Sequence, residues 1–156
     1  MSPFYETKQN RKNEKEIAAI AAKHFGWTAH HGKRGAHIDV MFKDGERVAA
    51  LAEVKQREYL QNDFHTYMID TAKVNFGAAL AKKHEAPFYI IVRWLDNISY
   101  IEPAVAKLTH NALGGRTDRG DANDIDKVTH YPVDQFIHII EGYRLKELDR
   151  ICEKHR

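Results

Sequence analysis

The stretch from Asp39 to Lys55 leaves the chain little choice of local structure. His37-Ile38-Asp39-Val40-Met41-Phe42 alternates and is rich in Ile, Val and Phe, the pattern of a strand. Asp44-Gly45 is a hairpin signal, because a tight two-residue turn needs a residue that tolerates positive φ. Arg47 to Lys55 reads as the return strand. Apolar residues fill both faces of its first half, which places it centrally in a sheet with a layer on each side. Its last residues break that pattern. Glu53 and Lys55 stand two apart and share one face, while Ala52 and Val54 take the other. Antiparallel pairing across the turn brings Asp39 toward the same end.

Two carboxylates beside an ammonium suit one kind of chemistry. The carboxylates of Asp39 and Glu53, with the Val54 carbonyl beside them, are hard oxygen donors for Mg²⁺. A divalent cation acidifies a bound water and neutralises charge on a phosphate. The Lys55 ammonium orients that water or stabilises the pentavalent phosphorus centre. The plainer reading is a surface hairpin with a Glu/Lys pair, worth about 0.2–1 kcal/mol. A polar end on an otherwise apolar central strand, facing an Asp on the partner strand, favours the chemical one.

Upstream, Asn13 is a candidate N-cap with Glu14 and Glu16 in the first turn, and the helix is expected to run to about His24 and stop at Gly26. Ile17, Ile20, Ala21 and Phe25 form its apolar stripe. At ~100° per residue, Glu14 falls about 50° from the centre of the stripe and Glu16 about 110°, so Glu14 points toward the body of the protein. It either serves a site there or simply complements the helix start. Trp27 to His31 reads as a short strand. Gly32-Lys33-Arg34-Gly35 is a basic turn in which Lys33 or Arg34 either touches a phosphate or belongs to an ordinary loop.

Downstream, Gln56 to Asp63 is a polar connection, and Gln56, next to Lys55, is a candidate substrate contact. Phe64 to His84 is expected to be one long helix, with Phe64, Met68, Ile69, Ala72, Phe76, Ala79 and Leu80 packed on the sheet. Lys73 lies at the edge of that stripe, either snorkelling or facing DNA. Ala86-Pro87 ends the helix. Phe88 to Trp94 and Ile98 to Ile101 read as a hairpin across Asp96-Asn97. Pro103 to Asn111 is a candidate short helix. Gly114 to Asp126 is a polar loop bearing Arg116 and Arg119, candidates for closing on DNA. It fails as a calcium loop, because the sixth position from Asp121 is not Gly and the twelfth is Pro132. Val128 to Val133 and Phe136 to Ile139 read as short edge strands, and Glu141 to Arg156 as a charged helix that docks on the domain or on a second copy. These elements make a single α/β domain over 1–156, a three-layer α/β/α sandwich around a central mixed β-sheet.

Composition narrows the function classes. A chain of 156 residues with 43% hydrophobic content can bury a real core. No apolar run approaches the ~20 residues of a membrane span, and the N-terminus lacks an apolar signal core, so membrane and secretory roles are set aside. The single cysteine, Cys152, forms no internal disulfide and no Cys-based zinc site, which points to a reducing cytoplasm. No Gly-rich phosphate loop exists, so no organic cofactor is expected. Net charge is only +2, but residues 1–34 carry seven Lys or Arg against three Glu, a distribution suited to phosphate contacts. Among ten histidines, His37 shares a strand face with Asp39 and, with His130 or His138, offers the facial triad of a non-haem iron oxygenase. That alternative needs a jelly-roll and leaves Glu53 and Lys55 without a role.

Asp39, thirteen residues, then Glu53-Val54-Lys55 resembles the PD-(D/E)XK nuclease superfamily. Within it, the chain over roughly Lys12 to Trp94 is similar to the small archaeal-type Holliday-junction resolvases and to phage and restriction-type endonucleases. Glu14-Lys15-Glu16-Ile17 resembles the Glu-x-Glu-aliphatic opening of their first helix, in which the first Glu lies at the metal site. The sequence departs from the pattern at Ile38, where the superfamily name has proline. The resemblance implies a restriction-endonuclease-like fold and a Mg²⁺-dependent endodeoxyribonuclease, with Mn²⁺ able to substitute. It implies catalytic roles for Asp39, Glu53, Lys55 and Glu14, a 5′-phosphate product, a DNA partner and a homodimer. The contrasting expectation is a catalytically silent DNA-binding or complex subunit of the same fold.

Overall fold

The computed structural model of the protein describes residues 8–32, 38–106 and 127–141. The first helix, α1, spans Lys8–Phe25 and begins earlier than Asn13. Its added first turns contain neither Gly nor Pro and are mostly good helix formers. It ends as expected at Gly26, whose φ of 78° only glycine adopts freely. There the Trp27 amide donates to the Ala22 carbonyl at 2.9 Å.

Six strands form the main sheet in the order β1-β2-β3-β5-β6-β8: β1 (Thr28–His31), β2 (Val40–Asp44), β3 (Arg47–Gln56), β5 (Phe88–Arg93), β6 (Asn97–Ile101) and β8 (Ile137–Glu141). Only the β3–β5 pair is parallel, so the sheet is mixed. Ala49 to Val54 of β3 are all buried, because both faces of this strand are covered. On one face α1 sets Ile17, Ala18, Ala21 and Ala22 against Val40, Phe42, Ala50, Ala52, Val54, Ile91 and Ile98. Small side chains on both partners let the helix lie close to the sheet. Phe25 closes that layer by stacking on Trp27 at 4.8 Å and on Tyr89 at 5.6 Å. On the other face Leu51, Ile90, Val92 and Trp94 pack with Tyr67, Ile69, Ala81, Tyr131 and Phe136. The result is the expected three-layer sandwich.

The expected helix from Phe64 to His84 is two elements. Thr66–Asp70 is a strand, β4, and only Thr71–His84 is helical, as α2. Tyr67 and Ile69 are buried while Met68 is 52% exposed, a period of two rather than of a helix. β4 pairs antiparallel with β7 (Val128–Pro132), with Tyr67 opposite Tyr131. That partner lies some sixty residues downstream, so no local signal announces it. The apolar stripe expected of the long helix is corrected too: Phe64 and Phe76 are exposed, and α2 buries Gly77 and Ala81. β7 is likewise not an edge of the main sheet but half of this separate ribbon, whereas β8 is an edge strand as expected.

Gln61 ties the connection after β3 to the far edge. Its Nε2 donates to the Val133 carbonyl at 2.8 Å, and its Oε1 accepts from Asn97 Nδ2 at 2.8 Å and from His138 Nε2 at 3.1 Å. The amide orientation is fixed by those partners, as a buried amide requires. Lys33, Arg34, His37, Arg116, Arg119 and nearly all of the C-terminal segment 141–156 lie outside the described residues. No helix among the described residues is long and apolar enough to cross a membrane.

Gly77 lets α2 lie close against Phe88 of the sheet. A Cβ there would lie 2.5 Å from the Phe88 ring. Gly77→Ala, which would stabilise an open helix by about 1 kcal/mol, is expected here to lower the unfolding free energy by about 1–2 kcal/mol through overpacking. Urea denaturation checks this; a gain in stability would show that the two elements are further apart.

Candidate active site

The site is built by the β2–β3 hairpin. Gly45 takes the first loop position with a φ of 65°. A bulge follows: Phe42 pairs with Ala50 but Lys43 with Val48. With Val40 opposite Ala52, the next step back along β2 sets Asp39 beside Glu53. Strand alternation places Asp39 on the face of Met41, and Glu53 and Lys55 on the face of Leu51. That is the same face, the one covered by α2.

Asp39 Oδ2 accepts a hydrogen bond from the Val54 amide at 2.8 Å. Glu53 Oε1 lies 3.2 Å from Lys55 Nζ and 3.2 Å from Lys73 Nζ. The Glu53 side chain is only 4% exposed, against 27% for Lys55 and 43% for Lys73. A carboxylate this deep calls for cations facing it, because an unpaired buried charge is costly. Burial at Asp39, reinforced by the charge of Glu53, pushes its pKa from 3.8 up to about 6, against the opposing pull of the Val54 amide and the two lysines. At Lys73 burial is the largest single influence and favours the neutral form, but the charges of Glu53 and Asp39 and the side-chain hydrogen bonding together outweigh it, and the ammonium is held above its usual range.

The donor set fits a hard divalent cation. It consists of oxygens: the two carboxylates and the carbonyl of Val54, which strand geometry sends to the same side as its amide, past the last paired residue of β2. The strain at Asp39 is the kind that a cation relieves. Among the described residues no group of three or more His, Cys, Asp or Glu is placed to hold a metal. Glu14 therefore does not complete a three-carboxylate cluster. It is half-buried on α1, the helix that covers the opposite face of the sheet. The iron alternative fares no better: His130 bonds Thr66 at 2.9 Å, His138 bonds Gln61, and the two sit on different sheets.

Gln56 ends β3, half-buried, with its carbonyl accepting from Arg57 Nη1 at 3.0 Å. Lys73, expected at most to face DNA, is instead paired with Glu53, because α2 begins at Thr71 and puts Lys73 in its first turn. Sequence reasoning passed over Arg57. It continues the row of Glu53 and Lys55, with its Nη2 donating to the Tyr67 hydroxyl at 3.1 Å and its guanidinium 5.1 Å from the Tyr67 ring centre. The period-two pattern, carried two residues further, would have found it.

A family model described as phage putative PDDEXK endonuclease matches residues 1–139. The chain belongs to this family. The motif in the PDDEXK name reads here Ile38-Asp39 and Glu53-Val54-Lys55, so the hairpin that builds the site also carries the family signature. Among solved structures, the Holliday junction resolvase Hjc of Archaeoglobus fulgidus, an archaeal hyperthermophile, superimposes with a TM-score of 0.55. It is 14% identical over 81% of this chain and 96% of its own, a likeness of fold. None of the curated proteins matches the sequence.

The folded chain keeps a proton on Asp39 up to about pH 6, whereas the unfolded chain releases it near 3.8. Stability from this group is therefore complete below 3.8 and is lost as pH rises through 6, at a cost on the order of 2–3 kcal/mol. Asp39→Asn, which keeps an oxygen for the Val54 amide, is expected to be more stable than wild type by about 1–3 kcal/mol at pH 7.5 and no more stable at pH 3.5. Denaturant titration across that range checks it; an equal effect at both ends would mean that Asp39 is not a strained carboxyl.

Proposed function

We propose that this protein is a Mg²⁺-dependent endodeoxyribonuclease that hydrolyses phosphodiester bonds and leaves a 5′-phosphate. The observation that carries the reading is the placement of Asp39, Glu53 and Lys55 on one face at the end of β3, with Glu53 Oε1 at 3.2 Å from Lys55 Nζ. Membership of a family described as endonucleases supports it.

Asp39, Glu53 and the Val54 carbonyl would hold the cation, with Glu14 completing the site through a water or directly. When bound, Mg²⁺ supplies an acidified water and neutralises phosphate charge. Lys55 acts through the positive charge it sets against Glu53. It orients the attacking water and stabilises negative charge gathering at phosphorus during in-line displacement. Gln56, Lys73, Lys33, Arg34, Arg116 and Arg119 would contact the DNA backbone. Branched DNA is the first substrate class to try, because the resolvase of similar fold is a Holliday-junction enzyme. Two symmetric cuts in such a substrate call for a two-fold homodimer.

The test is incubation with plasmid, flapped and four-way DNA, with Mg²⁺ or with EDTA, alongside the mass in solution. Cutting is expected with Mg²⁺ or Mn²⁺ and not with EDTA. Asp39→Ala and Lys55→Ala should each slow it by at least about a hundredfold while retaining DNA binding. Metal-independent cutting, or full activity in either variant, would end this assignment. Binding without cutting on every substrate would identify a silent subunit of the same fold.

A further inference from the structure

Lys55 and Lys73 both direct their ammonium groups at one oxygen, Glu53 Oε1, each at 3.2 Å. Two unit charges thus occupy the oxygen that a single divalent cation would take, and with Asp39 and Glu53 ionised the four groups sum to zero. A neutral site binds Mg²⁺ poorly until something removes a cation from it. Lys55 is anchored on β3 two residues from Glu53 and is the more buried of the pair. Lys73 comes from another element, in the first turn of α2, with its side chain 43% exposed. Its long stem reaches solvent, and a phosphate is the anion that would draw it.

We infer that Lys73 is a placeholder cation: it occupies Glu53 in the DNA-free protein and leaves for a backbone phosphate when DNA arrives, opening Glu53 to the metal. The inference rests on the reading of Asp39 and Glu53 as metal ligands. Metal and DNA then bind with positive coupling, which by linkage is the same in either order. A nuclease so arranged assembles its charged centre only on substrate. Lys73 in this role positions rather than reacts, and Arg, which can make the same pair, should replace it.

The experiment titrates Mn²⁺ by electron paramagnetic resonance into the full chain without DNA, as wild type, Lys73→Gln, Lys73→Arg and Glu53→Gln. Lys73→Gln is expected to bind Mn²⁺ about threefold to tenfold tighter than wild type, the effect of removing one partly screened like charge, and Lys73→Arg to bind as wild type does. A duplex is then added in the Lys55→Gln background, which should not cut it. DNA is expected to tighten Mn²⁺ binding there, and to do so at least about threefold less once Lys73→Gln is added. Lys73→Gln binding no tighter than wild type, or the same DNA effect with and without Lys73, would overturn the inference. Wild type and Glu53→Gln binding Mn²⁺ equally would instead overturn the metal site itself.

Discussion

The carboxylate of Glu53 is buried at the end of β3, a strand covered on both faces, and much of the site's architecture follows from pairing it. A lone ion in that position would cost several kcal/mol. Two lysines offset the cost, and they arrive from different elements: one along β3, the other from the first turn of α2. For Lys73 to reach, α2 must start directly above the end of β3. The strand β4 and its pairing with β7 set that starting point, and the Thr71 amide donates to the Lys127 carbonyl at the junction. The ribbon outside the main sheet thus acts on the chemistry through a single helix terminus.

The sheet's one parallel pair serves the same end. β3 and β5 run together, with Glu53 beside Ile90 and Lys55 beside Val92, so their carboxyl ends open on one rim. Ligand sites of open α/β sheets lie outside such ends, where no turn has to close the strand back on itself. β5 contributes only apolar side chains behind the acidic pair, and β2 contributes Asp39 from the other side. The rim is polar on one strand and backed by hydrocarbon on the next. Burial at this rim, with the charge of Glu53 beside it, raises the Asp39 pKa.

What could be read from the sequence was what is local. The Asp44-Gly45 turn, the doubly apolar β3 and the Gly26 stop each depend on residues within a few positions, and each is found where expected. The hairpin brings Asp39 to the Glu53 end of β3, but its turn alone would set Asp39 opposite Ala52; the Phe42/Lys43 bulge, which no local signal announces, adds the one-residue shift that puts it beside Glu53. The boundary at Asp70 was hidden because Met68 and Ile69 extend a helical stripe as readily as Tyr67 and Ile69 make an alternating one, and the strand that decides between them comes after residue 127. Losing that boundary displaced Lys73 from the site. Glu14 makes no direct three-carboxylate group with Asp39 and Glu53, since helical angle gives the side a residue points to, not which face of the sheet the helix will cover.

Ile38 stands where the PDDEXK pattern has proline. Proline before the acidic residue would stiffen the entry to β2 by fixing φ. Here Ile38 is half-buried and packs with the cluster beneath α2, so side-chain burial holds the same stretch of backbone. The carboxylate itself is oriented from across the hairpin, by the Val54 amide at 2.8 Å. That bond needs the Phe42/Lys43 bulge to bring Asp39 into step with Glu53, and the bulge needs the two-residue turn at Gly45. The geometry of the acidic pair is therefore carried by hairpin register, and the residue before Asp39 has only to be apolar enough to stay down.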